Sequence, residues 1–128
     1  MSNSTRVTGR FTIDPPLSWA EINGSPFASD NRRDSDLQLV IDEETVDTAD
    51  GTLLRRTSAA LVMREIDEYR ADKLLAQVQK AVDDFPGHEW AGRLDCQGEY
   101  GPDMWRVYVR DGQAVRVEPR IVWPDDAD

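Results

Sequence analysis

Two Asp-Gly dipeptides, at 50–51 and 111–112, each stand between runs in which apolar and polar residues alternate. No other feature of the chain limits its fold so strongly. Asp-Gly tolerates the positive backbone angles of tight turns, so the flanking runs fold back on one another as antiparallel hairpins. The first hairpin spans Leu37 to Met63. A three-residue loop, Ala49-Asp50-Gly51, sets Leu39 opposite Leu61, Ile41 opposite Ala59 and Glu44 opposite Arg56, so that apolar meets apolar and acid meets base. For the second hairpin the loop Arg110-Asp111-Gly112 sets Val107 opposite Val115 and Trp105 opposite Val117. A two-residue turn would face Val107 with Arg116, so the longer loop is preferred.

Two further segments alternate. Arg6 to Asp14 carries Val7, Gly9, Phe11 and Ile13 on one side, and Glu89 to Gly98 carries Trp90, Leu94 and Cys96. Pro15 and Pro16 withhold two ladder donors and are expected to end the first strand. Ser18 and Glu21 then form a capping box for one or two helical turns, stopped by Gly24. Residues 25–36 have turn composition and read as a mobile loop. Residues 69–85 place Ala71, Leu74, Leu75, Val78, Val82 and Phe85 at helical spacing, before Pro86-Gly87. Pro119 interrupts the last strand, leaving "RIVW" as an edge strand or a crossing segment. The expected fold is α+β: an antiparallel sheet of about six strands in the order β-β-β-α-β-β-β, with one long amphipathic helix packed on one face. At 128 residues this is a single domain, with flexible ends at 1–5 and 124–128.

Charge and composition narrow the function. Fifteen basic and 25 acidic side chains leave a net charge of −10, which argues against generic nucleic-acid binding and against anionic membranes. No apolar run approaches the roughly 20 residues needed to span a bilayer. The first residues lack the apolar stretch of a secretory signal, so a cytoplasmic protein is expected. A lone cysteine, Cys96, allows no internal disulfide, and its register with Trp90 and Leu94 marks it as a core residue. The lone histidine, His88, sits between helix and strand and reads as structural. The acids around Asp50 lack the spacing of a calcium loop, and no phosphate-binding, dinucleotide, zinc or hydrolase signature occurs. No catalytic, cofactor or metal residues are assigned.

Two surfaces remain. If the helix covers one sheet face, the other carries Val40, Val46, Leu54, Arg56, Val62, Arg106, Tyr108 and Arg116, a mixture of arginine, tyrosine and aliphatics that suits a protein interface. Arg32, Arg33, Arg55 and His88 form a candidate anion or loop site.

The runs "GRFTIDPPLSWAEI", "ETVDTADGTLLRRT", "FPGHEWAGRLDCQGE" and "WRVYVRDGQAVRVEPRIVWP" resemble a family of uncharacterised small proteins associated with actinobacteria and their phages. The resemblance carries no activity and no functional residues. It implies an accessory protein of a phage or mobile element, which suits counter-defence or host takeover by binding an unidentified host or phage protein. The alternatives are a module for a small nucleotide-like anion, a minor hydrolase, and a virion or assembly component.

Overall fold

The computed structural model describes residues 4–30, 34–99 and 103–126. Strands β1 (Thr5–Leu17), β2 (Leu37–Thr48), β3 (Gly51–Met63), β4 (Glu89–Gly98), β5 (Met104–Arg110) and β6 (Gln113–Val117) form one antiparallel sheet in the order β2-β3-β1-β4-β5-β6. The first strand therefore lies in the middle of the sheet, gripped by the β2–β3 hairpin on one side and the β4–β5–β6 meander on the other.

Two helices interrupt the strands: α1 (Trp19–Ile22) and α2 (Leu74–Asp84). The order is thus β-α-β-β-α-β-β-β, with a helix between the first two strands that the six-strand expectation leaves out. The capping box explains α1, since Ser18 N–H and Oγ both donate to Glu21 Oε1 at 3.1 Å. The second helix is shorter than the expected span of 69–85. Its α-helical part has 11 residues and follows a 3-10 turn at Ala71–Lys73, because Arg70 is still extended. Leu74, Val78, Ala81 and Val82 face the core, whereas Leu75 is turned outward.

Two glutamines pin α2 to both edges of the sheet. Gln77 Oε1 accepts from Asp36 N–H at 3.0 Å, at the entry to β2. Gln79 accepts from Ala114 N–H at 2.7 Å and donates to the Gly112 carbonyl at 3.1 Å, at the β5–β6 turn. Beneath the helix lies a core of Phe11, Ile13, Leu61, Leu94 and Val107, with Trp90 edge-on to Phe11 at 6.4 Å. Phe27, on a 3-10 turn at Pro26–Ala28, is 1% exposed and packs at 6.4 Å from Phe85, so part of the expected loop contributes to the core.

Three local expectations are corrected. First, the prolines do not end β1. Its pairing with β4 runs to Asp14–Glu89, and its pairing with β3 breaks after Thr12–Ala60 and resumes at Leu17–Ser58. Pro15 and Pro16 occupy the gap in which neither neighbour needs an N–H donor.

Second, the β2–β3 register follows expectation through Leu39–Leu61 and then slips at a bulge, so Ile41 meets Ser58, Glu43 meets Arg56 and Glu44 meets Arg55. Ala59 is the extra residue. Buried Ser58 spans it by donating Oγ–H to the Ala60 carbonyl at 3.2 Å. Third, β5–β6 closes through the two-residue turn Asp111-Gly112, at φ of 51° and 75°, so Val107 pairs with Arg116 and Tyr108 with Val115. Positive φ at both central residues is the hairpin geometry that matches strand twist, and it prevails over the apolar pairing expected from the longer loop. After Val117 the chain leaves the sheet, so "RIVW" pairs with no strand.

The β1–β4 seam depends on glycine. Gly92 has φ +92°, and a Cβ there would collide with the Arg10 carbonyl, as one at Gly9 would with the Arg93 carbonyl. Gly92→Ala is expected to lower stability by about 2 kcal/mol, read as a reduced urea midpoint at unchanged slope.

Candidate functional site: the arginine face

The side of the sheet away from α2 is built from the polar positions of the strands. Antiparallel partners share a face. Thr8 pairs with Asp95, Asp95 with Arg106 and Arg106 with Val117, giving one row across four strands. On one side of it lie Arg6, Gln97 and Met104, and on the other Arg10 directly opposite Arg93. Asp95 is the one acid among these rows. Its Oδ1 accepts from Arg106 Nε at 2.9 Å and lies 3.2 Å from Arg93 Nε. Tyr108 adds an aromatic ring, over which the Arg110 guanidinium stacks at 4.9 Å.

Hydrogen bonds and charge from Tyr108 and Asp95 hold the Arg106 guanidinium even further above its ordinary value. Arg6 and Arg10 make no ion pair among the described residues. Like charges directly opposite on neighbouring strands cost stability, so the Arg10–Arg93 pair concentrates positive charge against the interest of the fold. Arg6, Arg106 and Tyr108 line a groove of about 620 Å³, closed at one edge by Val117 to Arg120 as the chain leaves β6.

Of the expected interface residues, Val40, Val46, Val62, Arg106 and Tyr108 are on this open side. Leu54, Arg56 and Arg116 are not. The Ala59 bulge turns Leu54 and Arg56 to the α1 side, where Arg56 donates to Glu43 at 2.9 Å and stacks over Trp19 at 5.2 Å. The two-residue turn puts Arg116 beside Val107, where it stacks on Trp105 at 4.4 Å and pairs with Glu118 at 2.8 Å. In exchange, Leu53, Arg55, Val115 and Val117 share the open side with Tyr108 and Val40. Arg6, Arg10 and Arg93 become a group only through the β1–β4 pairing. Their alternation within β1 and β4 is legible, but nothing local says that those strands are neighbours.

Of the candidate anion site, Arg55 and His88 are among the described residues. Arg32 and Arg33 lie outside the described residues. Arg55 stands on the exposed hairpin opposite Glu44, while the His88 side chain is 7% exposed and joined to neither. Its Nδ1 is 2.5 Å from the Pro15 carbonyl and its Nε2 is 2.7 Å from Glu21 Oε2. Both partners are oxygen acceptors, one on each side of the ring. His88 thus staples the start of β4 to the capping box of α1. Cys96 is buried, and burial followed by the charge of Asp95 pushes its thiol up to about 11, which leaves it a core residue at neutral pH. Among the described residues no group of three or more His, Cys, Asp or Glu is placed to hold a metal, and no helix is long and apolar enough to cross a membrane.

The Ser18 amide, and then His88, hold the Glu21 carboxyl below its ordinary value of 4.5. The stability this confers is present above that value and is lost as pH falls through the lower folded value. Glu21→Gln is therefore expected to be less stable than wild type at neutral pH, with the gap closing as pH drops below about 4. Thermal melts across that range check it.

A family model described as "Family of unknown function (DUF6205)" matches residues 1–128. No curated protein and no solved structure matches the chain.

Proposed function

The chain belongs to this family of unknown function, and from that premise we propose that it is a non-enzymatic binding module whose arginine face engages an acidic patch on another protein. The observation that carries the reading is the gathering of Arg6, Arg10, Arg93 and Arg106 around one aspartate on a chain of net charge −10. A long polyanion meeting this face would also feel the acidic remainder of the molecule, because charges interact over a Debye length of about 8 Å at physiological salt. A short cluster of carboxylates meets the four guanidiniums without that repulsion, and arginine grips carboxylates bidentately. The reading places the protein in the cytoplasm as an accessory factor of a phage or mobile element, its partner a host or phage protein and its effect counter-defence or host takeover.

A second reading, a small nucleotide-like anion held by Arg6, Arg106 and Tyr108, draws on the groove of about 620 Å³, a volume typical of ligand pockets.

Capture from lysate at low and high salt, with wild type beside the Arg10→Glu/Arg93→Glu variant, tests the first reading. The expected partner is retained by wild type at low salt, is released at high salt, and binds the variant about tenfold more weakly or worse. A protein captured equally by both overturns it. Calorimetric titration with nucleotides tests the second reading. The single Arg10→Glu change separates function from folding: it sets an acid opposite Arg93, so stability is expected to rise by about 0.5 kcal/mol while partner binding falls. Denaturant melts and the capture assay read the two effects.

A further inference from the structure

The distal half of the β2–β3 hairpin projects past the end of β1. From Gly51 to Thr57, β3 pairs with β2 alone, because β1 leaves the sheet after Leu17–Ser58. One edge of this arm is therefore open, with ladder groups that no other strand of the described residues uses. The same stretch exposes two large apolar side chains, Leu53 at 59% and Leu54 at 54%, and Trp19 beside it is 42% exposed. The edge lines a groove of about 570 Å³ whose opposite wall is Pro16, Ser18 and Trp19. Natural edge strands are usually blocked by charge, proline or a cover. From Gly51 to Leu54 this one carries neither charge nor proline.

The segment 50–56, Asp-Gly-Thr-Leu-Leu-Arg-Arg, is complementary to itself when run antiparallel. With Leu53 opposite Leu53 of a second copy, Thr52 faces Leu54, Gly51 faces Arg55 and Asp50 faces Arg56. Apolar meets apolar, acid meets base, and no like charges are opposed. Arg56 gives only its Nε to Glu43, which leaves further N–H donors for the arriving aspartate. The pairing keeps each side of the arm on the same side of the joined sheet, as a two-fold axis through the edge requires.

We propose that the chain forms a two-fold dimer by pairing the free β3 edges of two copies, centred on Leu53. The dimer is independent of the arginine face, which lies on the other half of the sheet.

Light scattering on size-exclusion fractions over a concentration series tests it, with far-UV circular dichroism verifying that every variant is folded. Wild type is expected to run as a dimer. Leu53→Lys and Leu53→Asp each place like charges on the axis and are expected to run as monomers. Mixed in equal amounts, these two variants place opposite charges there, and the dimer is expected to return. A misfolded or merely destabilised variant would not recover its partner in this way. Wild type that remains monomeric at every concentration, a dimer that survives both substitutions, or a mixture that stays monomeric overturns the proposal.

Discussion

Almost everything in this structure depends on β1 holding two neighbours at once. As the central strand it carries Phe11 and Ile13 into the core, and among the described residues it alone links the β2–β3 hairpin to the β4–β5–β6 meander within the sheet. On the β4 side the backbones fit through Gly9 and Gly92, where a side chain would strike the facing carbonyl. On the β3 side the ladder breaks at the two prolines and is recovered once, at Leu17. Where β1 stops, His88 closes the corner by joining the Pro15 carbonyl to Glu21 of the α1 capping box. The helix α2 then braces the outer strands through Gln77 and Gln79.

The two surfaces of interest follow from that arrangement. Pairing β1 with β4 brings Arg10 against Arg93 and sets Arg6 four residues away on the same strand face. Pairing β4 with β5 adds Arg106 and makes Asp95 a shared anion between two guanidiniums. Opposing two arginines costs the fold stability, so positive charge is concentrated here at the expense of the sheet. The hairpin arm is the counterpart at the other end: β1 departs early, and an open edge with exposed leucines remains.

Much of the fold is legible in the sequence because its signals are local. Alternation locates the strands, Asp-Gly locates the turns, and the Ser18–Glu21 spacing locates α1. The candidate face is legible only in part. Val40, Val46, Val62, Arg106 and Tyr108 lie on the open side as their alternation suggests, while Leu54, Arg56 and Arg116 lie on the other side. Each of those three follows a shift of one residue. At the bulge, β3 recovers its contact with Leu17 and buries Ser58; at the turn, Asp111 and Gly112 both adopt positive φ.

The sequence alone therefore determined which segments are strands, which is the braced helix, and where the chain turns, since these depend on neighbours within a few residues. Tertiary structure alone decided that the first strand is central, that Arg6 and Arg10 meet Arg93 and Arg106, and which way the arm and the last strand face. The physical reason is the two-residue period of a β-strand: one extra or missing residue in the pairing sends every later side chain to the opposite face. That count is settled by contacts between segments far apart in the chain.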